Sequence, residues 1–256
     1  MRTGNHNELI EIFHVDYKDK SLKNFDDLKK IISGPAYRDM TPRHLKGIGK
    51  NPKGKENLFK WLAGEFLEYF DKPTKSKEDF DKWHSKICEE VLEKLGGLCD
   101  DNVKVHYGKA QKLVNMSFKN FYCFADAEEY EKNGYFANCH MPLDSYTLSW
   151  FTQNVCKDKV PSKWSNMDFE EYSEIQTKIR EYFNSDRNTT YRNNAPLATF
   201  IAEFYIWEEM RFPEICDSWL YKAVPLSKCS SFDEEITNKL KLIRDTADKL
   251  LNNANL

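Results

Sequence analysis

The chain has 256 residues, 40% hydrophobic and 14% aromatic, enough to fill a large packed interior, which excludes global disorder. Ten glycines and nine prolines are too few for an all-β fold of tight turns. A formal net charge of −3 excludes a globally basic nucleic-acid binder, so any such partner must meet a local patch.

Leu22, Phe25, Leu28, Ile31 and Ile32 recur at helical spacing and predict a helix over 22–32, with Gly34-Pro35 as its stop. The turn-rich stretch TPRHLKGIGKNPKGKENLF follows, carrying Arg43, Lys46, Lys50, Lys53 and Lys55 against one acid, Glu56. A helix over 56–70 has Leu58, Trp61, Leu62, Phe66 and Leu67 as its apolar face. Ser76 with Asp79 forms a capping pattern for a helix that ends at Gly96-Gly97. Val103 to Phe124 reads as a long helix, entered through a hairpin at Tyr107-Gly108, and only Asn102 to His106 hints at a strand. Glu128 to Tyr135 reads as a short helix or loop. Pro142 suits the first turn of a helix running to about Val155. The stretches 168–183 and 196–210 are amphipathic, and Ser231 with Glu234 caps a last helix ending near Leu251. The expected fold class is all-α, roughly eight to ten helices in a single domain over 1–256, with a catalytic core over about 103–155.

From Asn102 to Ala125 there is no acidic residue, although the chain holds 41 Asp and Glu against 38 Lys and Arg. Lys104, Lys109, Lys112 and Lys119 fall in that gap. On a helix Lys112, Asn115 and Lys119 share one face, bordered by Gln111, as one wall of a polar cleft would. Taken alone, the stretch fits a half-buried helix whose lysines snorkel, stems packed and heads wet. The balance shifts at CHMPLDSYTLSWF, Cys139 to Phe151. There Asp144 is expected in a first helical turn, where amide donors and the helix dipole favour an ionised carboxylate.

The Gly108-Lys109 helix followed by Pro142-Leu143-Asp144 resembles the helix-hairpin-helix DNA glycosylases, and within them the archaeal 8-oxoguanine glycosylase branch. Lys112 precedes Asp144 by 32 positions and Lys119 follows Lys112 by seven. The resemblance covers Tyr107 to Trp150. The hairpin departs from the family pattern, since His106-Tyr107-Gly108-Lys109 holds a single glycine where the family has two. The resemblance implies two helical lobes flanking a cleft. It also implies an enzyme that flips a modified base out of double-stranded DNA and hydrolyses its N-glycosyl bond. Asp144 is implied as the essential carboxylate, Lys112 as a nucleophile that would add abasic-site lyase activity, and Lys119 as an electrostatic helper or phosphate contact. Contacts to DNA and the flipped base are expected from His106, Tyr107, Gly108, Lys109, Gln111, Asn115, His140 and Trp150, with Gly108 and the amides after it near a phosphate. LKGIGK, Leu45 to Lys50, is a candidate second backbone-binding hairpin. The implied substrate is 8-oxoguanine or another modified base, including hypermodified phage bases, so base-excision repair and phage defence both fit. No cofactor is implied, and a monomer is expected.

Rival readings are weaker. His84-x-x-x-Cys88 with Cys139-His140 offers a Cys₂His₂ set, but no CxxC or HxxxH spacing supports it, and no compact four-cysteine pattern offers an iron–sulfur site. No metal is expected. Cys139 with His84 or His140 as a nucleophile pair lacks a local signature. The alternative class is a non-catalytic helical module that binds nucleic acid or protein, with the aromatic stretch Glu203 to Tyr221 as its interface. Seven cysteines, an odd number, read as reduced thiols. The start MRTGNHNELIEIF lacks the apolar core of a signal peptide and no apolar run approaches a membrane span, so a cytoplasmic protein is expected.

Overall fold

The computed structural model describes residues 21–72, 76–124, 134–157, 160–184 and 199–223. The expected helix from Ser231 to Leu251, and most of the segment Glu128 to Tyr135, lie outside these. Every regular element among the described residues is helical, and Asn102 to His106 forms no strand. Among these residues no helix is long and apolar enough to cross a membrane.

Helix α1 (Phe25–Ile31) begins at Asn24, whose Oδ1 accepts the Asp26 and Asp27 amides at 2.9 and 3.2 Å. Contrary to expectation, Gly34-Pro35 does not stop it. The chain widens into a π-turn over Ile32–Ala36 and goes on as one α turn over Tyr37–Asp39. The wider turn carries the hydrogen bonding past Pro35, which has no N–H to donate, so the helical path survives the proline. The basic loop follows. Gly47 has φ 90°, and a side chain there would collide with the backbone of Asp100. Leu45-Lys50 thus folds onto the link after the third helix, where the Asp100 amide donates to the Lys46 carbonyl at 3.0 Å.

Helix α2 (Pro52–Asp71) starts ahead of its apolar face because Asn51 caps it. The Gly54 amide donates to Asn51 Oδ1 at 2.8 Å and Pro52 takes the first helical position. Helix α3 (Lys77–Gly96) is capped as its sequence predicts, with the Asp79 amide on Ser76 Oγ at 3.1 Å. Helix α4 (Tyr107–Phe124) is the central element, packed against α1, the π-turn, the Tyr37–Asp39 turn and α3. Every residue from Tyr107 to Phe121 is buried. Phe66 of α2 meets Phe118 and Phe121 of α4 edge-on at 4.9 and 4.8 Å, the centre of an aromatic core.

Helix α5 (Ser145–Asn154) begins later than expected, so Pro142 lies ahead of it in an irregular segment. Helix α6 (Phe169–Asn184) packs on α4, and helix α7 (Thr199–Ala223) runs past Met210 and lies against α5 and α6. These contacts bring α4, α5 and α7 together where the charged side chains of the site lie.

Candidate active site

Asp144 is the N-cap of α5 rather than a residue of its first turn. Its Oδ1 accepts the Tyr146 and Thr147 amides at 3.0 Å each, while Thr147 Oγ1 accepts the Asp144 amide at 2.8 Å. That reciprocal cap leaves Oδ2 to face α4, and Lys112 Nζ donates to it at 2.9 Å. The pair is nearly closed from water, with side chains 5% and 14% exposed. Burial raises the Asp144 carboxyl, but Lys112, the Thr147 amide and Lys119 together hold it below the ordinary carboxylate value. Two residues far apart in sequence therefore form one charged unit, with the carboxylate ionised.

Lys119 lies two turns along α4 and has its own anion. Its Nζ is 2.6 Å from Glu203 Oε2 of α7, both side chains almost fully buried. The ammonium also sits over the rings of Phe204 at 4.7 Å and Trp207 at 5.4 Å. Trp207 stays half-buried, with Tyr146 of α5 edge-on at 6.1 Å and Arg211 over its face at 4.6 Å. Burial raises the Glu203 carboxyl above its usual value, and Asp144 adds to the rise, while Lys119 and Lys112 oppose it. A further carboxylate, Asp39, stands exposed at the end of the Tyr37–Asp39 turn within electrostatic reach of Lys112, Lys119 and Asp144. Desolvation by the surrounding protein raises its pKa, against the lowering influence of the two lysines.

The segment that delivers Asp144 has no regular structure, yet it is held along its length. Arg180 Nη2 donates to the Asn138 carbonyl at 3.0 Å, and Thr199 Oγ1 to that of Cys139 at 3.3 Å. Gln176 of α6 takes both backbone groups of Met141, donating to the carbonyl at 2.7 Å and accepting the amide at 3.2 Å. Gln111 of α4 does the same for Leu143, at 3.2 Å to the carbonyl and 3.5 Å from the amide. Buried backbone groups that lack a helix or sheet partner need such satisfaction.

Behind the glutamines lies a buried polar network. Asn115 Nδ2 donates to Gln111 Oε1 and to Tyr172 OH, both at 2.9 Å. Its Oδ1 is then an acceptor, so His84 Nε2–H donates to it at 2.8 Å. Tyr172 OH donates to His140 Nδ1, and His140 Nε2–H to Asp81 Oδ1, both at 2.9 Å. Arg180 closes the chain with two 2.8 Å bonds to Asp81. Both imidazoles are neutral in this arrangement. Burial lowers the His140 pKa to about 4 and holds that of His84 well below its ordinary value.

The expected contact residues are placed differently. Gly108 does not offer its amide to a phosphate: the N–H donates to the Met167 carbonyl at 3.0 Å, and the missing side chain makes room for the backbone at Trp164. The next amide, of Lys109, donates to the carbonyl of half-buried His106 at 2.9 Å. Lys109 Nζ is a brace, donating to the Met40 carbonyl and Thr41 Oγ1 at 2.9 Å each and lying over Trp164. Burial, with a contribution from Arg43, pushes its pKa down to about 8. Tyr107 is buried between Phe169 and Tyr172, and Trp150 stacks on Phe183 in the core at 5.7 Å. Gln111, Asn115 and His140 belong to the buried network, so Asn115 turns away from the lysine face. These residues brace the site from within because α4 is buried on all sides.

Lys112 and Asp144 are brought together, whereas Lys119 pairs with Glu203, which the sequence did not single out as a site residue. The signal for Glu203 was legible: it is the lone acid in the apolar run Phe200 to Ile206. Asp39 had no such signal, since its place depends on the π-turn. Burial keeps the Cys139 thiol well above its ordinary pKa, which removes it as a thiolate nucleophile. Among the described residues no three His, Cys, Asp or Glu side chains converge as metal ligands. No family model, curated protein or solved structure matches the chain, so the likeness to the helix-hairpin-helix DNA glycosylases rests on its own residues.

Proposed function

We propose that the chain is a DNA glycosylase of the helix-hairpin-helix kind, acting on a damaged or modified base in double-stranded DNA. The observation that carries this reading is the 2.9 Å contact of Lys112 Nζ with an Asp144 carboxylate fixed by its own helix cap. Breaking an N-glycosyl bond develops positive charge on the sugar, which a preorganised carboxylate stabilises. Asp144 keeps its charge for that role, while the Lys112 amine attacks C1′ as the N-glycosyl bond breaks and the proton it sheds leaves with the departing base. The resulting Schiff base permits strand cleavage by β-elimination. The exposed Arg43, Lys46 and Lys53 supply phosphate contacts whose strength falls with salt. Excision of 8-oxoguanine in repair and of a hypermodified base in phage defence both suit this chemistry.

Borohydride trapping on abasic-site DNA, with excision assays on duplexes bearing different modified bases, tests the reading. Lys112→Gln should abolish the covalent adduct, and Asp144→Asn should slow excision by about 10²–10⁴-fold. Undiminished excision by Asp144→Asn would sink it. One observation favours a second reading, a non-catalytic helical binding module: Asp144 is fully engaged as cap and ion-pair partner, a sufficient structural role. In that case neither variant changes any covalent chemistry.

A further inference from the structure

The buried charges of the site balance without Asp39. Lys112 is matched by Asp144 at 2.9 Å and Lys119 by Glu203 at 2.6 Å. Asp39 makes no hydrogen bond or ion pair with the described residues, although it lies within electrostatic reach of both lysines and of Asp144. It is an unused acceptor at the exposed edge of the charged unit.

Its backbone is nonetheless held firmly. Lys109 Nζ reaches out of the buried helix to the Met40 carbonyl at 2.9 Å and the Thr41 carbonyl at 3.2 Å. Thr41 is kept at φ 53°, a left-handed conformation that β-branched residues rarely adopt. Such a conformation persists only where its surroundings over-determine it, and here they fix the turn that presents Asp39.

On a surface that meets DNA, a carboxylate without a cationic partner repels phosphates and weakens binding. A favourable use remains if the ligand brings a donor. Carboxylates accept hydrogen bonds from the exocyclic amino groups of cytosine and guanine, whereas uracil and thymine have no amino group and set their one N3–H between two carbonyl oxygens that repel a carboxylate. We propose that Asp39 is a specificity-determining residue that accepts a hydrogen bond from an amino donor of the extruded base, so that the substrate is an amino-bearing modified cytosine or guanine rather than a uracil- or thymine-type base. The inference rests on the glycosylase reading above.

The test is single-turnover excision by the full chain on four duplexes, containing 8-oxoguanine, 5-hydroxymethylcytosine, uracil or 5-hydroxymethyluracil. Borohydride trapping on abasic DNA, which has no base to contact, runs alongside. The wild type should excise an amino-bearing base in preference. Asp39→Ala should slow that excision by about 10-fold or more while leaving abasic-site trapping unchanged. Asp39→Asn, which adds a donor, should shift the preference toward the carbonyl-rich bases. Three results overturn the proposal: wild-type excision of uracil-type bases at equal or higher rates, an unchanged preference in both variants, or equal losses of excision and trapping, which would mark a structural role. If the wild type neither excises nor traps anything, the glycosylase reading fails and this proposal with it. Excision with an unaltered preference in both variants removes only Asp39.

Discussion

Lys119 and Glu203 show most plainly how a single pair of residues sets the character of this interior. Both side chains are almost fully buried, and at 2.6 Å their attraction offsets the cost of taking two charges out of water. Among the described residues Lys119 is the partner of the Glu203 carboxylate, so the carboxylate depends on the lysine. Removing the lysine alone strands that carboxylate. Lys119→Met should therefore destabilise the protein by about 3–5 kcal/mol in urea denaturation at pH 7, and the double variant Lys119→Met/Glu203→Leu should recover most of the loss. A loss under about 1 kcal/mol in the single variant would mean the pair is not buried as described. Lys112 and Asp144 differ in keeping slight exposure and a fully ordered cap.

At the scale of the element, α4 decides what its neighbours can do. Its first turn runs under the backbone around Trp164, and Gly108 is the residue that permits the approach. A Cβ there would collide with the Trp164 carbonyl. Gly108→Ala should cost about 1–3 kcal/mol of stability, as overpacking in a core does, read from the denaturation midpoint. If the glycine were instead a phosphate contact, the same variant would lose DNA affinity with its stability intact. The glycine was legible in the sequence as a point of close approach, but the partner in that approach was not. The two glutamines that hold Met141 and Leu143 follow the same pattern. Nothing local distinguishes Gln111 or Gln176 from a surface glutamine, because their partners sit 32 and 35 positions away.

For the whole molecule, the buried network makes stability depend on pH. His140 titrates at about 4 in the folded chain and His84 well below its ordinary value, against about 6.5 for an unfolded histidine. Below that unfolded value the unfolded chain binds protons that the folded chain refuses, so stability falls as the pH drops from about 6.5 toward 4. His140 should cost roughly 2 kcal/mol by pH 5, with His84 acting in the same direction, and guanidinium denaturation at pH 7 and pH 5 measures the loss. Equal stability at the two pH values would show that the imidazoles are not held neutral.

The features legible in the bare chain are local ones. The cap at Ser76 and the helical periodicities are written within a few turns of chain, and the all-α class follows from them. Tertiary structure decided the rest. Pro35 reads as a stop until a π-turn carries the helix past it, and the turn that follows brings Asp39 within electrostatic reach of the lysines. The lysines of α4 read as snorkelling until neighbours on every side bury them and supply Asp144, Glu203 and the carbonyls of Met40 and Thr41. Periodicity records which way a side chain points from its own helix. Whether that direction ends in water, a carboxylate or a backbone carbonyl is set by helices distant in the chain, and the energy of a buried charge depends on that environment.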